Sequence, residues 1–194
     1  ALGYNGTFRL NADSQVVNTW AWEIGRPGVT RFFEQPIAGQ VSWLLPFALF
    51  SLLILAWHRK WHLPLNRQQQ ALVLWGTWLF TMLIFFSRAH FFHRYYLSML
   101  SPAIAALSGA GVVMMWQKYV RRGWRGWLLP YALLMTGLAQ VYFLTPFPQW
   151  SNMLTVSVIG LYAHLELTLV IMRWRFQPQL RRVARVITIL GLLG

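Results

Sequence analysis

Five predominantly apolar runs, each about 20 residues long, constrain this chain more than any other feature of its sequence. A helix of that length matches the hydrocarbon core of a bilayer, which is roughly 30 Å thick. Strands of a membrane barrel would alternate apolar and polar residues, whereas these runs are apolar on all sides. The sequence therefore predicts an all-α, polytopic bundle of transmembrane helices. The predicted spans lie near 38–57, 69–87, 95–116, 127–146 and 153–173, with a partial sixth span at 183–194.

The composition agrees with a chain that lies mostly in lipid. Of its 194 residues, 57% are hydrophobic and only 11% are charged, and it contains 12 Trp and 7 Tyr, which concentrate at membrane–water interfaces. The formal net charge of +13 would also suit a protein that binds nucleic acid. However, the basic residues cluster between apolar runs instead of covering a soluble face. We therefore expect membrane lipids, and no nucleic acid, as partners.

The distribution of basic residues predicts how the protein is oriented. Twelve of the 17 Lys and Arg residues fall in three segments, and the other five lie in the remaining connections. The three basic segments are 58–68, 117–126 and 173–185. Because cytoplasmic loops carry the excess of Lys and Arg, these segments are predicted to be cytoplasmic. Residues 1–37, 88–94 and 147–152 are then predicted to face outward.

The chain divides by composition into an extracytoplasmic segment, 1–37, and a membrane region, 38–194. The first segment is polar and Gly-rich and holds three of the four acidic residues. Its aromatic residues, among them Phe32 and Phe33, are predicted to seat it at the level of the lipid headgroups. The chain begins at Ala1 and ends within an apolar run, so we expect it to be an excerpt from a longer protein.

The predicted outer loop from Arg88 to Arg94, which runs into two tyrosines, is the most informative stretch for function. The positive-inside pattern should leave this side poor in Arg. Guanidinium groups pair bidentately with phosphate oxygens, and tyrosine hydroxyls can complete such a contact. A lipid phosphate is the expected anion at this depth. The alternative, which stays open, is interfacial anchoring without a ligand. The predicted phosphate-binding residues are Arg88, His93, Arg94, Tyr95 and Tyr96.

No catalytic residue or metal site is selected by the sequence. His90 and His93 lack a third ligand nearby, so neither a metal nor another cofactor is predicted. The outward acids Asp13, Glu23 and Glu34 are the candidates for acid–base chemistry, and their spacing selects no pair.

Two of the predicted spans carry residues that are unusual for a lipid-facing helix: an ionisable pair and a stripe of small residues. Glu166 lies near the middle of the fifth span with Tyr162 one turn before it, which allows a hydrogen bond to the carboxylate. The pair suits either a proton relay in a transporter or a protonated Glu hydrogen-bonded between helices. In the third span, Ser101, Ala105 and Gly109 form a stripe of small residues that predicts close approach of another helix.

Three stretches resemble bacterial members of glycosyltransferase family 39, which are polytopic C-type transferases similar to protein O-mannosyltransferases and lipid A aminoarabinose transferases. They are Leu2-Gly-Tyr-Asn-Gly-Thr-Phe-Arg9, Arg31-Phe-Phe-Glu-Gln-Pro-Ile-Ala-Gly-Gln-Val-Ser-Trp-Leu-Leu-Pro46 and Phe92-His-Arg-Tyr-Tyr-Leu-Ser-Met-Leu-Ser-Pro-Ala-Ile-Ala-Ala-Leu107. The last stretch departs from the family signature at Arg94, where the family usually has Pro.

The resemblance implies an inverting enzyme of the bacterial cytoplasmic membrane with its active site on the outer face. Its donor would be a sugar linked to polyprenyl phosphate. The family's catalytic acid belongs to the N-terminal half of the protein, so this chain would be the C-terminal, donor-lipid side and would need that half as its partner. The competing expectations are a proton-coupled transporter or flippase module centred on Glu166 and a purely structural membrane subunit.

Overall fold

The computed structural model describes residues 23–57, 61, 63–121 and 123–175, and these residues form helices and connections without a β-strand. The α-helices are α1 (Ala38–Val41), α2 (Leu45–Trp57), α3 (Arg67–Arg88), α4 (Ser101–Tyr119), α5 (Leu128–Leu144) and α6 (Pro148–Arg175). Short 3-10 helices occupy Val29–Phe33, Arg94–Leu100 and Trp124–Trp127. The all-α prediction is confirmed.

Among the residues that the structure describes, four helical stretches are long and apolar enough to cross a membrane. They are Arg67–Arg88, Arg94–Tyr119, Trp124–Leu144 and Pro148–Trp174, where a 3-10 turn and the following α-helix count together. The chain is therefore a polytopic helical membrane protein. The predicted partial span at 183–194 lies outside the described residues.

The first predicted span, 38–57, is wrong as a single helix. It is broken into α1, which has 4 residues, and α2, which has 13. At the break, the Ser42 hydroxyl donates a hydrogen bond to the carbonyl oxygen of Phe32, and Pro46 occupies the first turn of α2, where its missing N–H is tolerated. A helix of 13 residues rises about 20 Å, which is less than the thickness of the hydrocarbon core.

The fifth predicted span also differs at its start. Helix α6 begins at Pro148, so the predicted connection 147–152 shrinks to residues 145–147. Proline favours the first helical position, and the Phe147 carbonyl accepts hydrogen bonds from the amides of Trp150 and Ser151. Residues 148–152, predicted as part of an outward connection, belong to the helix.

The short helix α2 packs mainly on α4 and also touches α3 and α5, while α6 packs against α5. Two glycines permit these crossings. A Cβ atom built on Gly111 would lie 2.0 Å from Ser51 Oγ, and one built on Gly137 would lie 2.8 Å from the Tyr162 ring. Close contact between small residues is the usual way that membrane helices pack.

Within the described residues, the stripe of Ser101, Ala105 and Gly109 does not form such a crossing. All three residues are exposed, and nothing lies within 4 Å of a Cβ built on Gly109. The buried face of α4 is the one that carries Gly111. Because α4 is apolar on every side, small-residue spacing alone did not distinguish the two faces, and the prediction for this stripe is wrong.

Arg173 lies in a segment that is predicted to be a cytoplasmic loop, but its buried side chain takes part in the packing of the helices. Its Nη1 donates to the Tyr119 carbonyl at 2.7 Å and its Nη2 to the Gly123 carbonyl at 2.7 Å. The guanidinium also lies 5.2 Å from the Trp127 ring centroid. A buried cation thus closes the carboxyl end of α4, where the helix dipole favours positive charge. The Gly123 backbone has φ 129°, a conformation that favours glycine.

Candidate functional site

The predicted phosphate-binding loop lies between α3 and α4. Helix α3 starts with a capping box, in which the Asn66 and Gln69 side chains each accept a hydrogen bond from the other residue's amide. It ends at Arg88, after which Ala89 adopts an extended conformation. His93 is also extended and precedes the 3-10 helix Arg94–Leu100. The loop is thus an extended connection held between two helical ends.

Three of the five predicted site residues form one cluster of rings. The His93 ring stacks on that of Tyr95, with centroids 5.4 Å apart and an interplanar angle of 8°. Tyr96 meets both rings edge-on, at 5.9 Å from His93 and 4.5 Å from Tyr95. Tyr95 is 66% exposed, so a ligand at the surface of the bundle can reach this cluster.

The two predicted arginines lie at opposite ends of the loop and differ in their surroundings. Arg88 is exposed at the last residue of α3. Arg94 is half-buried, and its Nε donates a hydrogen bond of 2.7 Å to the Glu23 carbonyl. Arg94 therefore already holds the segment before the first 3-10 helix, while Arg88 faces the surroundings of the bundle.

Arg31 is a residue that sequence reasoning missed. It is 2% exposed, and it donates hydrogen bonds to the carbonyls of Phe86 (2.5 Å), Ala89 (2.8 Å) and Gly25 (2.7 Å). Burial lowers the pKa of Arg31 to about 10, so it stays protonated near neutral pH. Charge counting had placed it among the outward loop charges. The sequence feature that could have pointed to Arg31 is its position at the start of the Arg31-Phe-Phe-Glu-Gln-Pro stretch.

Phe32 and Phe33 are predicted to anchor this segment among the lipid headgroups, but they pack within the bundle instead. Phe32 is 2% exposed and belongs to the main apolar core, and the Phe33 ring lies 6.2 Å from that of Phe143 on α5. The described part of segment 1–37 is thus packed into the bundle, so it forms part of the site's scaffold. Residues 1–22, including Asp13, lie outside the described residues.

The histidines of the loop show no metal centre. Within the described ranges, no group of three His, Cys, Asp or Glu side chains is close enough to hold a metal ion. His90 has a buried Nδ1 without a hydrogen-bond partner, and His93 belongs to the ring cluster.

An apolar groove of about 630 Å³ runs along α2 and α3. It is lined mostly by aliphatic and aromatic residues between Leu49 and Ala56 on α2 and between Leu72 and Ile84 on α3, together with Trp61 and the two threonines Thr77 and Thr81. Ile84 is one helical turn before Arg88, so the two residues lie on the same side of α3. The groove therefore ends close to an exposed cation.

Glu166 and Tyr162 lie on α6, away from this loop. The Tyr162 ring lies against Gly137 on α5, and Gln140 on the same helix donates to the Trp43 carbonyl at 3.0 Å. Glu166 Oε1 is buried without a hydrogen-bond partner. The structure thus shows Tyr162 engaged with α5, and it gives Glu166 Oε1 no bond from the tyrosine that the sequence had suggested as its donor.

Comparison with known proteins finds two similar proteins of Bacillus subtilis (strain 168). The chain is 37% identical over 172 residues to "Putative mannosyltransferase YycA", which covers 87% of this chain and 25% of that protein. It is 41% identical over 153 residues to "Putative mannosyltransferase YkcB", which covers 75% of this chain and 21% of that protein. The chain thus spans about a quarter of the length of these relatives. No protein-family model and no solved structure matches it.

Proposed function

We propose that this chain is the donor-lipid side of a membrane glycosyltransferase. The enzyme would move a sugar from a polyprenyl-phosphate donor to an acceptor at the extracytoplasmic face of a bacterial cytoplasmic membrane. The names of the two relatives support sugar transfer, and mannose is the sugar that they suggest. The resemblance to glycosyltransferase family 39 supports the lipid-linked donor.

One observation carries the proposal: the apolar groove along α2 and α3 ends one helical turn from the exposed Arg88. A polyprenyl phosphate presents the matching chemistry, a long hydrocarbon chain that ends in an anion. The chain would lie along the groove, and the phosphate would meet Arg88, Arg94 and the ring cluster of His93, Tyr95 and Tyr96. Arginine holds phosphate oxygens through two parallel hydrogen bonds.

The same residues would assist the reaction. When the bond between the sugar and the phosphate breaks, negative charge builds up on the departing phosphate. Cations and hydroxyl donors already in place stabilise that charge more than they stabilise the bound donor, which lowers the barrier. A base that activates the acceptor is expected from the N-terminal half of the protein. The chain by itself would therefore bind donor without turning it over.

The test uses the full-length gene product reconstituted in vesicles of membrane lipids. The donor is undecaprenyl-phosphate mannose labelled in the sugar, with an extract of the native membranes as acceptor source. We expect labelled sugar to pass to the acceptor fraction and undecaprenyl phosphate to be released. Use of a nucleotide-linked sugar, but not the lipid-linked one, would contradict the proposal. Turnover of neither donor would favour a purely structural subunit.

A second candidate, a proton-coupled transporter or flippase module, is favoured by Glu166 alone. Its buried Oε1 without a partner is unusual for a residue within a membrane span, where ionisable groups often serve transport. Replacing Glu166 with Gln removes the ionisable group and keeps the side-chain size. We expect the transferase to retain its turnover within about twofold, since Gln has nearly the same shape as Glu and Glu166 lies on α6, outside the proposed site. Loss of proton-driven lipid movement across vesicles, with transfer unchanged, would instead support the transporter.

A further inference from the structure

We propose that Arg31 is a positioning residue that sets the geometry of the donor-phosphate loop without touching the donor. The inference rests on the proposed function, since it concerns the same loop. Arg31 is buried, whereas Arg88 and Tyr95 at the loop surface are exposed. The Arg31 guanidinium therefore acts on the donor-phosphate loop through the backbone carbonyls to which it is hydrogen-bonded.

The contacts of Arg31 tie two distant segments together. Its Nη1 reaches the carbonyls of Phe86 and Ala89, which flank the last residue of α3, and its Nη2 reaches the Gly25 carbonyl. The last carbonyls of a helix lack partners within the helix, and the dipole at that end attracts a cation. The planar guanidinium satisfies all three acceptors at once. It thereby fixes the direction in which the chain leaves α3.

Neighbouring contacts make this arrangement rigid. The guanidinium carbon lies 5.2 Å from the centroid of the Phe92 ring, which is itself buried. The Gly28 amide donates to the Ser87 carbonyl at 2.9 Å. At the far end of the loop, Arg94 Nε holds the Glu23 carbonyl. Both ends of the loop are thus held by hydrogen bonds to the same segment, 23–31, and Arg31 lies at the centre of these contacts.

Gly25 supports the same conclusion from the backbone. It has φ 71°, a left-handed conformation that favours glycine, and its carbonyl accepts one of the Arg31 hydrogen bonds. This turn therefore brings the Gly25 carbonyl to the Arg31 guanidinium. An ordinary extended backbone would point that carbonyl in another direction.

Arg173 provides a matched control at the opposite end of the bundle. It too is buried, bonds to two carbonyls at a helix end, and holds a glycine of positive φ, Gly123. Substituting Lys at either position keeps the charge and loses the planar fork. Both variants should lower the melting temperature. Only Arg31→Lys should change the binding of a phosphate at the Arg88 end.

The experiment measures binding of undecaprenyl phosphate and of undecaprenol, which lacks the phosphate, to the purified full-length gene product. Arg31→Lys is expected to raise the Kd for undecaprenyl phosphate roughly 10- to 100-fold, as small displacements of binding groups do, and to leave the Kd for undecaprenol unchanged. Arg173→Lys is expected to change neither Kd. Hydrogen exchange of residues 86–94, measured without ligand, should speed up in Arg31→Lys alone.

The outcomes separate this inference from the proposed function. If the native protein binds no undecaprenyl phosphate, the proposed function fails, and hydrogen exchange still tests whether Arg31 fixes the loop. Equal loss of both ligands in Arg31→Lys, or an unchanged Kd with unchanged exchange, would overturn the positioning role. If Arg31→Lys does not fold, Phe92→Leu removes the ring beneath the guanidinium and keeps its hydrogen bonds. It should shift the phosphate Kd in the same direction, and an unchanged Kd would count against the inference.

Discussion

Replacing both Arg88 and Arg94 with Ala in the full-length gene product should lower kcat/KM for the lipid-linked donor at least about 100-fold. A hydrogen bond to a charged group contributes about 1.5–3 kcal/mol, and about 1.4 kcal/mol corresponds to tenfold in affinity. Arg88 is exposed, so its loss should affect binding more than folding. Arg94→Ala also removes the hydrogen bond to the Glu23 carbonyl. Initial rates over a range of donor concentrations measure the effect.

The control must separate a specific site from general attraction of a basic protein for anionic lipid. The exposed residues Arg26 and Arg121 serve this purpose, because their double replacement by Ala removes the same net charge. We expect that control to keep its kcat/KM within about twofold, as exposed substitutions usually do. If the double variant at Arg88 and Arg94 matches the control, these arginines have no part in the mechanism, and interfacial anchoring becomes the better explanation of the loop.

Hydropathy predicted the fold class because a bilayer leaves few choices for an apolar chain. It did not predict the break at Ser42. An apolar run of the right length looks the same whether it is one helix or two, and here the break depends on a hydrogen bond from Ser42 to a carbonyl ten residues earlier. Similarly, the predicted connection 147–152 contains the first five residues of α6, which begins at Pro148.

The candidate loop was visible in the sequence because Arg on the predicted outer side is unexpected. The buried residues that hold the loop in place could not be predicted from the sequence. Counting charges treats all arginines alike, yet Arg31 and Arg173 are buried at helix ends while Arg88 is exposed. Which arginine is buried depends on carbonyls brought from residues about 50 positions away. Such long-range contacts have no local signature.

Packing between helices gives the largest expected effect on stability. Gly111→Ala should lower the free energy of unfolding by about 2–3 kcal/mol, the upper part of the range for overpacking. The new Cβ would lie 2.0 Å from Ser51 Oγ and 2.3 Å from Ser51 Cβ. Rotating the Ser51 hydroxyl away does not remove the contact with Cβ, so α2 and α4 must separate. Since α2 and α4 each also contact α3 and α5, their separation disturbs the packing of those helices as well.

Gly109→Ala is the matched control, because it lies on the same helix and its added Cβ meets nothing within 4 Å. Ala favours a helix over Gly by about 1 kcal/mol, so this variant should be as stable as the native protein or more stable. Adding Ser51→Gly to Gly111→Ala removes the opposing Cβ and should restore much of the lost stability, a coupling that a double-mutant cycle measures. Thermal unfolding in detergent compares the native protein, Gly109→Ala, Gly111→Ala, Ser51→Gly and the double variant. If Gly111→Ala melts no lower than Gly109→Ala, then α2 and α4 do not cross at Ser51 and Gly111.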